Sequence, residues 1–341
     1  MPQSEFEIIR RYFAESGLSF PRAGVELGIG DDAALLQLPA DRLLAISMDV
    51  LVESVHFPAS ADPRLVANRA LAVNLSDLAA MAAEPFCFTL GLVLPDSNHQ
   101  WLEGFSQGLL NLAQQYNCPL VGGDTTQGPL SISIQVQGLC QRDLAVRRDG
   151  AAVGDRIYLS GTLGDGAIAL LSLGLQSHLG TSFVLNKENC SASCLQYFED
   201  AYYKPQPRIH LARKVAPVVS SGIDISDGLL GDLGHIIKAS GVGANLSVDK
   251  FPYSDSALCC MSSHNRLLAA LHGGDDYELC FTVPAARSAE FEELASQSQT
   301  RVSYIGEIVA GNTISCLDQA GTVLEVDASS YQHFTKCIKQ R

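Results

Sequence analysis

Six times along this chain an apolar run stops at a short turn that carries aspartate. The turns are Gly28-Ile29-Gly30-Asp31-Asp32, Ser47-Met48-Asp49, Asn74-Leu75-Ser76-Asp77, Gly122-Gly123-Asp124-Thr125-Thr126, Ile223-Asp224-Ile225-Ser226-Asp227-Gly228 and Gly273-Gly274-Asp275-Asp276. Carboxylates held beside glycine at strand ends can reach one shared cleft. Alone they repel, because neighbouring like charges disfavour ionisation. Hard divalent cations reverse that sign, since Mg²⁺ takes carboxylate oxygens together with substrate phosphates. The pattern therefore predicts a multi-metal site for a polyphosphate.

The formal net charge of −14 argues against a nucleic-acid partner. An acidic protein that binds a phosphorylated ligand brings the positive charge in as metal ions. The length, 341 residues, fits two domains or one large one. None of the ten cysteines forms a Cys-x-x-Cys pair, and Cys87 and Cys280 lie inside apolar runs as small hydrophobes. That usage predicts a reducing cytoplasm. Met1 to Arg11 is charged early and shows no apolar signal segment. Leu71 to Leu94 is strongly apolar but contains Asp77, Glu84 and Pro85, so it reads as a buried helix and a strand, with no membrane span.

Periodicity predicts helices over Glu5–Ser16, Asp62–Ala83, Trp101–Tyr116, Pro207–Val215, Gly228–Ser240 and Ala285–Ser296, and another after the turn Gly161–Gly166. It predicts strands over Ala33–Leu38, Leu43–Ser47, Phe86–Leu94, Pro119–Val121, Ser131–Leu139, Arg156–Ser160, Gly222–Ile225, Tyr277–Val283 and Val302–Ile308. Asp32, Asp49 and Asp124 then fall at strand ends. Asp77 falls inside a helix, where a solvated face competes with its apolar neighbours Leu75, Leu78 and Met81. Gln176 to Tyr197 has no clear periodicity. The polar, turn-rich Arg147-Arg148-Asp149-Gly150 reads as a domain junction, giving domains 1–147 and 148–341. The alternation is α+β, with two sheets rather than one continuous Rossmann sheet. The alternating faces of Phe86–Leu94 and Ser131–Leu139 predict a subunit interface.

No Gly-x-x-x-x-Gly-Lys-Ser/Thr loop is present, which excludes a P-loop NTPase. Gly28 to Ala33 matches a dinucleotide fingerprint in form, but Asp31 and Asp32 would meet the pyrophosphate anion. Gly161 to Gly166 fits either a phosphate-approaching loop or a plain tight turn. His56, His235 and His272 are too scattered to argue a catalytic triad. A lone histidine is usually structural; His56, seven residues past Asp49, stays open. What remains is phosphoryl transfer run mainly by metals, in which the protein positions and neutralises. A phosphate acceptor is already ionised near neutrality and needs no general base.

At Glu26 to Asp32, Ala45 to Asp49, Ala72 to Met81, Val121 to Thr126, Ile223 to Gly228, Gly273 to Leu279 and Tyr331-Gln332-His333-Phe334, the chain resembles the thiamine-monophosphate kinases. These belong to the superfamily of aminoimidazole ribonucleotide synthetase and selenophosphate synthetase. The motifs are individually weak, run in order over nearly the whole chain, and are specific together. The resemblance implies two α+β domains of the aminoimidazole ribonucleotide synthetase-like fold. It further implies that the N-terminal sheets of two subunits pair into a barrel, giving a homodimer. It implies ATP-dependent conversion of thiamine monophosphate to thiamine diphosphate, with several Mg²⁺ ions and direct transfer. By position it implies Asp32, Ser47, Met48, Asp49, Asp77, Asp124, Asp224 and Asp227 as metal ligands. It implies Gly123, Asp124, Arg148 and Ser226 as ATP contacts, and His56, Asp275 and Tyr331 on the acceptor side. Met48 stands where the family often has Thr, and Asp275 where it usually has Glu; Asp276 is a possible sharer of that role. Two rivals remain: a sister ATP-dependent synthetase, and a non-enzymatic acidic metal-binding scaffold. Selenophosphate synthetase itself falls, because it needs a reactive Cys in a glycine-rich N-terminal segment. The first cysteine here, Cys87, lies in an apolar strand.

Overall fold

One apolar helix lies between two sheets and touches both. The computed structural model describes residues 4–175, 179, 183–186 and 188–325. The chain opens with α1 (Glu5–Ile8), capped by Ser4, which runs on into a π-helical turn. A short ribbon of β1 (Val25–Leu27) and β2 (Leu35–Leu36) follows. Next come β3 (Arg42–Val52), α2 (Pro63–Ala80), β4 (Glu84–Leu94), α3 (His99–Gln115), β5 (Leu120–Gln127) and β6 (Ser131–Gln141). Their sheet runs β3-β6-β4-β5, antiparallel except for the parallel β4/β5 pair.

The second half contains β7 (Arg156–Ser160), α4 (Asp165–Leu173), α5 (Ala192–Tyr203), α6 (Ile209–Val215), β8 (Ser221–Asp224) and α7 (Leu229–Ser240). It continues with β9 (Gly243–Ser247), α8 (Asp255–Cys260), α9 (Ser263–His272), β10 (Leu279–Val283), α10 (Ser288–Ser296), β11 (Val302–Val309) and β12 (Ile314–Leu317). This sheet runs β12-β9-β11-β7-β10-β8, and only β12/β9 is parallel. Two mixed sheets with helices packed on them match the α+β reading.

Helix α2 begins where Asp62 accepts the Arg64 N–H and Pro63 takes the first helical position. Its body is rich in Ala and Leu on every side, and a helix apolar all round is a buried one. Leu71, Leu75 and Leu78 are almost wholly buried. Each such side chain contributes roughly 1.5–3 kcal/mol through burial. The stability of the site's central element thus comes from packing, and its few polar residues are free to serve function.

Two strands are longer than predicted. β3 continues past Ser47 because it pairs with β6 along its whole length, from Arg42 opposite Gln141 to Val52 opposite Ser131. β5 continues past Val121 because it pairs with β4 as far as Leu94 opposite Gln127. Asp49 and Asp124 therefore sit inside strands, where backbone pairing supports polar residues that periodicity reads as a stop. The predicted strand Ala33–Leu38 shrinks to Leu35–Leu36. Within the unreadable stretch, α5 starts after its cap Ser191, and only Phe198, Tyr202 and Tyr203 bury fully.

The expected interface rows on β4 and β6 are covered by the chain itself. Phe88, Leu90, Leu92, Ile132, Ile134 and Val136 lie in the same core as α2 and α3. The uncovered apolar row is on the edge strand β3: Leu44, Ile46, Met48 and Val50 are 37, 58, 54 and 45% exposed. Among the described residues no helix is long and apolar enough to cross a membrane.

Candidate active site

The alternation of β3 divides its polar residues between two faces. Met48 points outward with the exposed row, while Ser47 and Asp49 are partly buried on the other side. Ser47 Oγ donates to Asp77 Oδ2 at 2.5 Å. The Asp49 N–H donates to Asn74 Oδ1 at 3.0 Å, and Asn74 Nδ2 donates to the Ala70 carbonyl at 2.9 Å. One residue before Asp77, Ser76 Oγ donates to Asp224 Oδ2 at 2.8 Å, at the end of β8. Consecutive residues of α2 thus bond to both sheets: Asp77 accepts from Ser47 of β3, and Ser76 donates to the Asp224 carboxylate of β8. The solvated-face reading of Asp77 fails, since the helix around it is buried.

The turn after β8 is fixed from inside. Asp232, in the first turn of α7, accepts the N–H groups of Ser226 and Asp227, both at 3.0 Å. The Gly273–Asp276 turn lies directly against it. The Asp275 N–H donates to the Ser226 carbonyl at 2.9 Å, and the Tyr277 N–H to the Ile225 carbonyl at 2.8 Å. A Cβ on Gly274 would meet the Ser226 carbonyl oxygen at 2.2 Å, so this approach requires glycine. Asp275 and Tyr277 both have left-handed backbones, φ +69° and +51°. Non-glycine residues hold that conformation only where their surroundings enforce it.

Besides burial, the clustered carboxylates raise one another's pKa values. Burial pushes the Asp49 carboxyl up to about 6, helped by the like charges of Asp77 and Asp227 and opposed by Arg69. Burial also raises Asp77, against the Ser47 hydrogen bond and the Arg148 charge. Asp224 is pushed well above the ordinary carboxylate value, first by burial and next by Asp77. Asp232 is raised to about 7, chiefly by burial. The charge of the exposed Arg148 opposes the rise at both Asp77 and Asp232.

A hollow of about 480 Å³ opens on this cluster, and Met48, Asp49, Ser226, Asp227, His56 and Asp275 all line it. Arg69 and Tyr277 complete its wall. Arg69 is buried, ion-paired to Asp275, and stacked 3.7 Å from the Tyr202 ring centroid. Its Nε is buried with no hydrogen-bond partner. His56 Nδ1 accepts the Val52 N–H at 3.0 Å, so the neutral ring carries its proton on Nε2.

Asp32, Gly123 and Asp124 line a different hollow of about 650 Å³, with Asp31, Phe6 and Ile9 on its walls. The two hollows share no lining residue. Gly123 has φ +153°, and a Cβ there would meet the Leu90 carbonyl oxygen at 2.0 Å. Glycine thus lets β5 pass close to β4 just before Asp124. Tyr331 lies outside the described residues. A third hollow, about 670 Å³ between α7 and β12, contains none of the predicted site residues.

Two sequence alternatives resolve here. Asp276 does not share the place of Asp275. It turns away and accepts the N–H groups of Gly164 and Gly166 at 2.7 and 3.0 Å. Those bonds occupy the N–H groups of Gly164 and Gly166, while Gly161 and Leu163 donate to the Arg301 and Pro252 carbonyls, so four donors of the Gly161–Gly166 loop are engaged within the fold, as in a structural turn. Arg69, Asn74, Ser76 and Asp232 were missing from the sequence-derived set. Arg69 and Asn74 are polar residues inside an apolar helix, and that was the available signal. Asp232 was detectable only as an acidic residue in a first helical turn.

Among the described residues, no three His, Cys, Asp or Glu side chains stand close enough to enclose an ion unaided. The donors are all oxygen, which suits Mg²⁺. That ion keeps several waters and binds through one or two carboxylates plus phosphate oxygens. The residues present fit such a group.

Two sheets, a linking helix and carboxylates gathered from both halves define a protein of the AIR synthase related class. The AIR synthase related N-terminal domain matches residues 30–140, and the C-terminal domain matches 152–318. Within that class the chain belongs to the thiamine-monophosphate kinase family. It is 41% identical over 334 residues to thiamine-monophosphate kinase of Escherichia coli strain K12, covering 98% of this chain and 99% of the relative. The enzyme of that name from Haemophilus influenzae is 39% identical over 90% of both chains. The crystal structure of thiamine-monophosphate kinase from Stenotrophomonas maltophilia K279a superposes with TM-score 0.81 at 39% identity, covering 93% of this chain and 97% of that one. AaThiL complexed with AMPPCP and TMP superposes with TM-score 0.72 at 29% identity, covering 90% and 92%.

Proposed function

We infer that this chain is a thiamine-phosphate kinase that moves the γ-phosphoryl group of ATP onto the phosphate of thiamine monophosphate, giving thiamine diphosphate. The observation that carries this reading is the hollow that joins Asp49 and Asp227 to His56, Arg69 and Asp275. Its lining joins carboxylates to a buried guanidinium, an imidazole and an aromatic ring. An acceptor that joins a metal-bound phosphate to a flat ring suits that lining.

In this reading Asp49, Asp77, Asp224 and Asp227 hold Mg²⁺, with Ser47 and the Met48 carbonyl beside them. The bound ion would neutralise phosphate charge as it develops in the transition state. Asp32, Gly123 and Asp124 face the ATP phosphates from the second hollow, with Asp32 and Asp124 also serving as metal ligands. Ser226 and Arg148 contact ATP from the carboxylate cluster. Arg148 holds phosphate oxygens through its fork of donors. His56, Asp275 and Tyr331 belong to the acceptor side. Asn74, Ser76 and Asp232 orient the carboxylates, which matters because positioning supplies much of the rate in phosphoryl transfer. Domains 1–147 and 148–341 meet at the helix that holds both halves of the site. Two copies pair through their N-terminal sheets, and the exposed row on β3 is the surface that this pairing would cover.

The direct test uses ATP labelled at the γ-phosphate, with Mg²⁺, thiamine monophosphate and the purified chain. Label should appear in thiamine diphosphate. Label released only as inorganic phosphate would overturn the reading.

A further inference from the structure

Four of the ten cysteines converge on one patch away from both candidate hollows. Cys190 and Cys194 flank Ser191, the cap of α5, while Cys259 and Cys260 end α8. The segment before α5 runs along the end of α8. The Asn186 N–H donates to the Cys260 carbonyl at 2.8 Å, and the Cys259 thiol donates to the Asn189 carbonyl at 3.2 Å. Cys190 and Cys194 pack against the core cluster that includes Cys260, α5 and α8 are in contact, and both thiols act on that of Cys260.

Cys194 and Cys260 differ in the way a reactive pair requires. Cys194 is partly exposed and lies in the first turn of a 12-residue helix. The positive end of a helix dipole favours a thiolate there. Its sulfur accepts from Ser191 Oγ at 3.3 Å. The thiol is held below the ordinary cysteine value, first by Ser191 and further by Cys260. Cys260 is fully buried, and burial keeps its thiol protonated. Cys259 is the most exposed of the four but sits at a helix C-terminal end, where the dipole disfavours a thiolate.

We propose that Cys194 and Cys260 form a dithiol oxidation site, at which hydrogen peroxide joins the start of α5 to the end of α8 by a disulfide. The Cys194 thiolate attacks one peroxide oxygen and the O–O bond breaks. The leaving hydroxide takes a proton and departs as water, leaving a sulfenic acid on Cys194. The Cys260 sulfur then attacks the Cys194 sulfur and the S–O bond breaks. The second hydroxide leaves with the Cys260 proton as water. Two thiols and one peroxide give one disulfide and two waters, and the thiols supply both electrons. The tether falls on the helix whose last turn carries Tyr202, the residue stacked on Arg69.

The test treats the whole, fully reduced chain with stepwise hydrogen peroxide, blocks remaining thiols and maps the peptides by mass spectrometry. A Cys194–Cys260 link should appear at doses that leave Cys259 as a thiol, and dithiothreitol should remove it. In Cys260→Ser, dimedone should trap Cys194 as its sulfenic acid. In Cys194→Ser, Cys260 should stay reduced; this variant changes a partly exposed side chain and keeps the test usable if Cys260→Ser does not fold. Oxidation of Cys259 ahead of Cys194, or a bond from Cys190 in place of the Cys194–Cys260 bond, overturns the proposal.

Discussion

The Arg69 guanidinium stacks 3.7 Å from the centroid of the Tyr202 ring and donates to the Tyr202 backbone carbonyl at 2.7 Å. It thereby fastens α2 to α5 while its second terminal nitrogen, Nη2, pairs with Asp275. Removing one member of a buried ion pair leaves the other charge unpaired, at a cost of about 3–5 kcal/mol. Arg69→Met should destabilise the chain by roughly 3 kcal/mol. Arg69→Met with Asp275→Asn should cost less than the sum of the two single changes. Urea unfolding of the four proteins in a double-mutant cycle measures that coupling. Additive losses would mean that the pair carries no energy of its own.

Asp124→Asn should fold normally and lose activity. The side chain is exposed on β5, so it carries little packing. If Asp124 holds Mg²⁺, losing this anionic ligand weakens the ion on the ATP phosphates, and losing such charge stabilisation typically costs on the order of 10²-fold in rate. Wild-type turnover, measured beside an unchanged circular dichroism spectrum, would remove Asp124 from the site.

The exposed row on β3 predicts the subunit contact. Ile46 is 58% exposed at the middle of that row. Ile46→Asp puts a charge where apolar surface is to be buried, and it should turn a dimer into a monomer at micromolar concentration. Light scattering reads this directly. A monomeric wild type, or a variant that stays dimeric, would place the contact elsewhere.

Asp165 offers a pH test outside the carboxylate cluster. It is buried, and burial raises its pKa, although hydrogen bonds from Ser254, Thr162 and Tyr197 oppose the shift. A carboxyl whose folded pKa exceeds its unfolded value binds more protons when folded. Its contribution is present below the unfolded value and is lost as pH rises through the folded one. Asp165→Asn removes this dependence. The stability gap between wild type and variant should therefore be widest in acid and narrow as pH rises above the ordinary carboxylate value. Urea unfolding across that range checks the sign, and a gap that widens with pH would contradict it.

Much of this was legible in the sequence because glycine and aspartate punctuate it where the chain must turn. Ile223 to Gly228 and Gly273 to Asp276 were readable as turns, and backbone hydrogen bonds do join them. The strands β3 and β5 were cut short because Asp49 and Gly122-Gly123-Asp124 look like strand ends. Pairing with β6 and β4, a non-local effect, carries the backbone through them. The role of Arg69 is not legible in the sequence because its partners, Asp275 and Tyr202, are distant along the chain. The division of the carboxylates between two hollows is likewise a matter of packing, which no spacing reveals.

Acceptor choice follows from the way His56 is held. Thiamine monophosphate should be phosphorylated and free thiamine should not. Free thiamine offers a hydroxyl, which needs a base to take its proton, whereas a phosphate oxygen is already ionised. Among the described residues, His56 is the one histidine that lines the hollow, and its Nδ1 accepts the Val52 N–H at 3.0 Å. The proton of the neutral ring is then on Nε2, so neither ring nitrogen is set to take a proton from a hydroxyl. Asp49 and Asp227 line the same hollow, and a Mg²⁺ held there as proposed would need phosphate oxygens at its remaining sites. Free thiamine brings none. Purified protein with ATP, Mg²⁺ and each acceptor in turn, with products separated by chromatography, decides the matter. His56→Gln should keep hydrogen-bonding capacity, retain the monophosphate preference and lose rate mainly through a higher KM for the acceptor. Conversion of free thiamine to the monophosphate, with no diphosphate formed from the monophosphate, would mean that the hollow serves a hydroxyl acceptor and that His56 is its base.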